Sequence, residues 1–559
     1  MMNDATEKTL ARILGVGLFT TVVFLVNGAV TDPVNAPKLL ILGMLGFACI
    51  FSVSRFLTSW IKIDGRVLGT VAALFILFSF SALIFSQGPF TQNFYGSYGR
   101  NNGLLAYLCL LSIFLTTAIL RKKESINFLA LSLIGAGWVN ILYCLWVIAF
   151  GDFLAWNNPY GNILGTLGNP NFIGAFLGIL APLMLAMSLR PDASNFLKIS
   201  SIFGIPLALF EAVDSQAIQG RVVAAAGFAI VGFFYLRSKS KVITAIYSVT
   251  VGTIGLFALL GALQKGPLTE FVYKTSVSLR GQYWLAGYNT GESHFWTGVG
   301  FDTFGDWYRR MRDVHALEVP GPNVVVNAAH NIPMDIFAFG GFPLLAIYSI
   351  LLILVLTSVA KFVKREKAFD PVFTSLFVVW TGYQLQSIIS INQIGLAVIG
   401  WMFGGAIIAY ERMTKNDDNE GLHRFKKSKS TTYQVISPGL LSGIGALIGA
   451  LIAVPPLSVD MAWRDAQVSR SVEKFEKVLS PSYMRPQNTM MYATTIDTFE
   501  QSNLNELAVK YNREALKFNS DSYDLWRLMY FIKKSTPEEK KIALANMKRL
   551  DPLNPDVTK

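Results

Sequence analysis

Apolar residues in this chain come in blocks of about 20, which is the length of helix needed to cross the hydrocarbon core of a bilayer. Such runs lie near 10–30, 37–54, 67–86, 103–120, 126–150, 170–189, 199–214, 220–236, 242–263, 331–360, 370–390, 394–410 and 438–455. They predict an all-α, polytopic transmembrane bundle of about thirteen spans. The charge content agrees: only 15% of residues are Asp, Glu, Lys or Arg, where a soluble domain carries about 25%. Cys49, Cys109 and Cys144 each fall inside an apolar run. They read as small core residues, not as a disulfide framework or zinc site.

The net charge of +12 is distributed by topology and is not a nucleic-acid signal. One set of alternate loops is basic. It holds Lys8 and Arg12; Arg55, Lys62 and Arg66; Arg121, Lys122 and Lys123; Arg190 and Lys198; Arg237, Lys239 and Lys241; Lys361, Lys364, Arg365 and Lys367; and Arg412, Lys415, Arg424, Lys426, Lys427 and Lys429. The opposite short loops hold only Lys38, Arg100 and Arg221. Basic loops stay in the cytoplasm. The N-terminus is therefore expected inside, on an uncleaved first span of a multi-pass protein of the cytoplasmic (inner) membrane. The long loop 264–329 is expected outside, and so, with an odd number of spans, is 457–559.

The chain thus divides into a transmembrane domain, 1–456, and an outer helical domain, 457–559. In the latter, Lys477-Val478-Leu479-Ser480-Pro481, Lys517-Phe518-Asn519-Ser520 and Arg549-Leu550-Asp551-Pro552 are similar phrases. Their spacing resembles degenerate tetratricopeptide repeats, which stack helix pairs into a surface that binds a protein partner. A plain helical cap reads the same phrases equally well.

The expected outer face gathers the notable polar groups. Arg100 stands in Tyr95-Gly96-Ser97-Tyr98-Gly99-Arg100-Asn101-Asn102-Gly103. Arg221 opens a span, and Arg280 precedes Gly281-Gln282-Tyr283-Trp284 in the long loop. A lone arginine at a helix end commonly snorkels to lipid phosphates. Where outer loops otherwise lack cations, guanidinium forks instead suit a diphosphate, which they grip in bidentate fashion. His330-Asn331 sits where the long loop meets an apolar run. A helix N-terminus disfavours imidazolium there, leaving a neutral ring able to take a proton or simply to cap its helix. Asp335 follows inside the span, where an acid is functional by default or pairs with a cation. Asp302 and Asp306 are a weak metal-ligand pair. No resident cofactor or metal is called for. Arg309, Arg310 and Arg312, with Trp296 and Trp307, read as a segment lying on the membrane surface or as a lid.

Together these motifs resemble the bacterial O-antigen ligase and polymerase superfamily, over roughly residues 90–360. The resemblance rests on Gly165-Thr166-Leu167-Gly168-Asn169-Pro170-Asn171, Arg221, Arg280 with Trp284, Gly298-Val299-Gly300, and Ala329-His330-Asn331 with Gly340-Gly341 downstream. Phe339 departs from it, since many members carry an acid there; Asp335 is the candidate substitute. The resemblance implies a metal-independent membrane glycosyltransferase of GT-C type. Its donor would be a glycan on undecaprenyl diphosphate, and its acceptor a hydroxyl of a lipid, glycan or protein. It implies Arg221, Arg280 and His330 as catalytic residues, with Arg100, Asn169, Asn171, Trp284, Asn331 and Asp335 contacting substrate. Ligase, polymerase and protein O-oligosaccharyltransferase share these motifs. A transporter would place its polar groups near the bilayer midplane instead.

Overall fold

The computed structural model of the protein describes residues 4–154, 156, 158–159, 161–273, 275–417 and 437–558. Of the basic loop residues, Arg424, Lys426, Lys427 and Lys429 lie outside that set. Every apolar run of the sequence falls on a helix. The first half of the chain holds α1 (Asp4–Val23), α2 (Asn35–Ile63), α3 (Arg66–Ile84), the short α4 (Phe90–Tyr95), α5 (Leu104–Ile119), α6 (Lys123–Phe150), α7 (Pro170–Ser188), α8 (Asn195–Asp214), α9 (Ile218–Arg237) and α10 (Lys241–Ala262). The long loop is itself helical, with α11 (Thr269–Val272), α12 (Thr275–Ser293) and α13 (Phe304–Met311). Then come α14 (Ile332–Arg365), α15 (Pro371–Ile389), α16 (Ile394–Asp417) and α17 (Pro438–Ala453).

Among the described residues, 10 of these helices are long and apolar enough to cross a membrane, or 11 with the bent pair that α17 makes with the next helix. This is a multi-pass membrane protein. The count is lower than the expected thirteen for two reasons. The α1 helix carries Asp4, Glu7, Lys8 and Arg12 in its first turns, and α5 is short of a full span. Lys38 belongs to neither class of loop: its ammonium is fully buried and donates to the carbonyls of Thr21 and Val22.

One of the most enclosed spans is α7, which packs against α8, α9 and α15. Small residues let it approach α9. A Cβ on Gly220 would stand 2.4 Å from the Gly174 carbonyl oxygen, and one on Gly178 would stand 2.3 Å from that of Gly220. Backbone contact of this kind holds membrane helices together where apolar burial offers no preference.

A second device shapes α14. Its helix breaks at Gly341 (φ 66°, ψ −168°), and Pro343, two residues on, has no N–H. Inside a membrane protein the carbonyls so freed must find other donors. The middle of the long loop supplies them. Val299 N–H donates to Ala338 O and Gly300 N–H to Phe339 O, both at 2.9 Å, while Phe342 N–H donates to Phe295 O at 2.7 Å. Gly298 and Gly300 both have positive φ here, which explains the glycines flanking Val299.

The C-terminal domain comprises α18 (Pro455–Ser469), α19 (Val472–Leu479), α20 (Thr489–Gln501), α21 (Asn505–Phe518), α22 (Tyr523–Phe531) and α23 (Pro537–Leu550). The recurring phrases are helix ends: Ser480, Asn519 and Asp551 are the C-caps of α19, α21 and α23. The domain lies against the long loop. Asp551, fully buried, accepts from Arg309 at 2.9 Å and from Arg312 at 2.7 and 3.0 Å. Arg310 stacks on Trp307 and pairs with Asp521, and Arg309 covers Tyr523. The arginine cluster is therefore not a segment resting on the membrane surface. Its charges are matched by carboxylates of the C-terminal domain, and that matching is what draws Trp307 under cover.

Two outcomes follow. Gly341→Ala forces a Cβ to 2.3 Å from Phe295 O at a positive φ, so the variant should lose about 1–3 kcal/mol, read as a lower melting temperature in detergent. Asp551→Ala leaves two arginines facing a void. Breaking such a buried pair costs about 3–5 kcal/mol, so limited proteolysis should release the C-terminal domain far faster than in the parent chain.

Candidate active site

The site lies at one end of the bundle, where the loop around Arg100, the turn at Asp302, helix α12 and the start of α14 meet. The Arg100 loop is pinched shut. Gly96 (φ 93°) and Gly103 approach so closely that a Cβ on Gly103 would stand 2.4 Å from Gly96 N. Asp302 holds the loop from below, accepting from Ser97 N–H at 2.7 Å and Asn102 N–H at 3.3 Å. Its own carbonyl accepts from Ser97 Oγ and Gln92 Nε2. Burial pushes the Asp302 carboxyl up to about 6, against the pull of those amides and of the Arg100 charge. Asp306 accepts from the same Gln92 amide at 3.1 Å. The pair that resembled metal ligands thus fastens loops, and among the described residues no three His, Cys, Asp or Glu side chains group as a metal site.

His330 is not in the first turn of α14 but just before it, in the left-handed region (φ 55°). Asn331 is the N-cap: it accepts from Met334 N–H at 3.0 Å and donates to Ile388 O at 2.9 Å. Asp335 accepts from Ala329 N–H at 2.7 Å, tying down the residue that precedes His330. The imidazole, half-buried, lies against Tyr283, with ring centroids 5.4 Å apart. Arg280, Tyr283 and Trp284 stand three and four residues apart on α12, so they share one face. Burial pushes His330 down to about 3, and the cationic Arg280 and Arg100 push the same way. The neutral form is favoured, as the sequence suggests, but by burial and two guanidiniums and not by a place inside the helix.

Arg280 is half-buried and, among the described residues, has no carboxylate within ion-pairing distance. Burial lowers its pKa, yet a guanidinium stays protonated in proteins. Arg100 donates from Nε to Asn327 Oδ1 at 3.2 Å and lines a small inner cavity with Asp302, Asp335 and Phe339. Asp335 stands one helical turn before Phe339 in that cavity, which is how it can take over an acid missing from position 339.

The structure thus brings together Arg100, Arg280, His330 and Asp335, with Trp284 next to Arg280 on α12. It does not join Arg221 to them by any hydrogen bond or ion pair among the described residues. Arg221 is an exposed residue in the first turn of α9. Asn169 is the N-cap of α7, accepting from Asn171 N–H at 2.9 Å, and Asn171 O accepts from the Gln219 amide. The Asn171 carbonyl thus ties the start of α7 to α9, two residues before Arg221. Sequence reading missed Tyr283 as the surface against which the imidazole packs, and Asp302 as the anchor of the Arg100 loop. The i,i+3 spacing of Tyr283 from Arg280 carried the first; nothing in the sequence carried the second.

Fold and site together define a multi-pass membrane protein in which Arg280 and Arg100 act on one half-buried imidazole. Residues 207–349 match the O-antigen ligase family model, so the chain carries a region similar to O-antigen ligases, and membrane glycan transfer is the class of function this supports. The match contains Arg221, Arg280, His330 and Asp335, but not Arg100 or Asn169. No curated protein matches the chain.

The anchor at Asp302 has a direct test. Asp302→Ala leaves two buried amides without an acceptor, at about 1–3 kcal/mol each. Hydrogen exchange at Ser97 and Asn102 should speed up markedly while the amides of α7 keep their protection.

Proposed function

We propose that this protein transfers a glycan from undecaprenyl diphosphate to an acceptor hydroxyl at the outer face of the cytoplasmic membrane, by a single inverting displacement that uses no metal. The observation that carries the reading is Arg280: a half-buried cation with no carboxylate partner among the described residues, one imidazole away from Arg100. A cation held out of bulk water and left unneutralised favours an anionic ligand. The donor's diphosphate is that anion, and the guanidinium fork matches its oxygens. Arg221 is assigned to the approach of the diphosphate along the surface of α9.

The chemistry follows from the charges. The acceptor oxygen forms a bond to the anomeric carbon while the bond from that carbon to the diphosphate oxygen breaks. The electron pair leaves on undecaprenyl diphosphate, whose added negative charge Arg280 stabilises. The acceptor proton passes to His330. In the free protein His330 is a poor base, because burial disfavours its charged form and Arg280 and Arg100 add to that by repelling a proton. The bound diphosphate cancels that repulsion, so the donor itself raises the ring's basicity when a base is needed. Trp284 and Asn331 border this pocket as sugar contacts, and Asp335 keeps the backbone before His330 in place.

The tests use purified protein with lipid-linked glycan. Arg280→Ala should cut turnover by about 10²–10³, the usual cost of one lost oxyanion donor, and Arg280→Lys should restore little, since a point charge lacks the fork. Full turnover by the lysine variant would refute bidentate binding. His330→Ala should lower kcat with little change in KM for the donor. The pH profile gives an independent check. In the free protein the ring stays neutral as pH falls through 6.5, because its pKa lies near 3, so kcat/KM should show no histidine limb there. In the donor complex the pKa is higher, so the acid limb of kcat should appear at higher pH than that of kcat/KM. Coincident limbs would remove His330 as the base. EDTA should leave turnover intact.

A further inference from the structure

Between the C-terminal domain and the Arg100 loop lies a cavity of about 660 Å³, well within the range of about 300–1,000 Å³ typical of ligand sites. On the membrane-domain side it is walled by Gln92, Tyr95, Asn101 and Asn327; on the other by Thr494, Asp497, Asp524 and Arg527, from α20 and α22. It is a different space from the small inner cavity lined by Arg100 but adjoins it, because Asn327 in its wall is the acceptor of the Arg100 hydrogen bond. We propose that this cleft binds an uncharged sugar chain several units long and leads it to the reaction centre.

The chemistry of the walls selects that occupant. They offer amides and hydroxyls, which both donate and accept, beside tyrosine rings; sugars present hydroxyls and apolar faces to match. A polyanion is disfavoured, since Asp306, Asp497 and Asp524 line the space against Arg527 as its one guanidinium. A protein partner fits less well. The C-terminal helices are fastened to the membrane domain around this space by Asp551 with Arg312, by Tyr98 Oη donating to Asp460 at 2.6 Å, and by Thr91 Oγ1 donating to Gln487 O at 2.9 Å. What they leave between them is a half-open cleft, too small to seat a folded partner.

This inference rests on the glycan-transfer reading for its choice of sugar, but its test needs no turnover. The three native cysteines are all buried, whereas Thr494 is exposed to the cleft. Thr494→Cys in the full chain therefore supplies one reachable thiol. Its labelling by a maleimide would be timed with lipid-linked glycan extracted from host membranes, with lipid-free envelope glycan, with heparin, and with tryptic peptides of host envelope proteins. A several-fold slowing by lipid-linked glycan assigns the cleft to the donor's sugar chain, and slowing by the lipid-free glycan assigns it to the acceptor's. Slowing by neither, or only by the peptides or heparin, overturns the proposal. Thr494→Trp, which fills the cavity from an exposed position, should raise KM for the same glycan several-fold and leave kcat nearly unchanged; an unchanged KM also overturns it. Protection by glycan in a chain that transfers none would refute the transferase reading and leave the cleft assignment standing.

Discussion

A helix that breaks inside a membrane protein leaves carbonyls that water cannot reach, and here their satisfaction organises the rest of the site. The break at Gly341 turns Ala338 and Phe339 toward the middle of the long loop, which answers with the amides of Val299 and Gly300. With residues 295–300 fixed to α14, the next turn is fixed as well, and it carries Asp302. Asp302 then holds the Arg100 loop by two amides. One backbone repair thus sets the distance between a loop from the first quarter of the chain and the helix that follows His330. Asn331 and Asp335 complete the frame by closing the start of that helix from within and from behind.

The frame supports an electrostatic imbalance. Most arginines near this end of the molecule have carboxylates: Arg309 and Arg312 share Asp551, and Arg310 has Asp521. Arg280 has none among the described residues. Its charge is felt by His330 instead, which burial already keeps neutral. In the proposed reaction, an anion entering between these groups relieves the repulsion and raises the proton affinity of the ring, so that binding and base activation would be the same event.

Much of this was readable from residue patterns. Every apolar run became a helix, because continuous hydrophobicity leaves a backbone in lipid no other way to satisfy itself. Arg280 and His330 stood out because a cation or a titratable ring at a membrane helix end has few structural excuses. Arg221 stood out for the same reason, yet the structure leaves it exposed on α9, since linear sequence says which end of a span a residue occupies but not which way it faces. The arginine cluster in the long loop misled more thoroughly. Its amphipathic pattern is what a surface-lying helix shows, and equally what a helix shows when it docks on an acidic domain. Only Asp551, distant in sequence, separates the two. Asp302 shows the limit from the other side: its role as an anchor depends on backbone amides, which leave no trace in composition.

The pairing of Asp551 with Arg309 and Arg312 joins residues about 240 positions apart along the chain. Through Arg309 and Arg312 it governs the posture of α13, and through α13 the wall of the cleft. A ribosome therefore finishes the membrane helices well before the loop above them can adopt its final posture. Any nascent protein interrupted before α23 would carry Arg280 and His330 but lack the carboxylate that holds α13 in place.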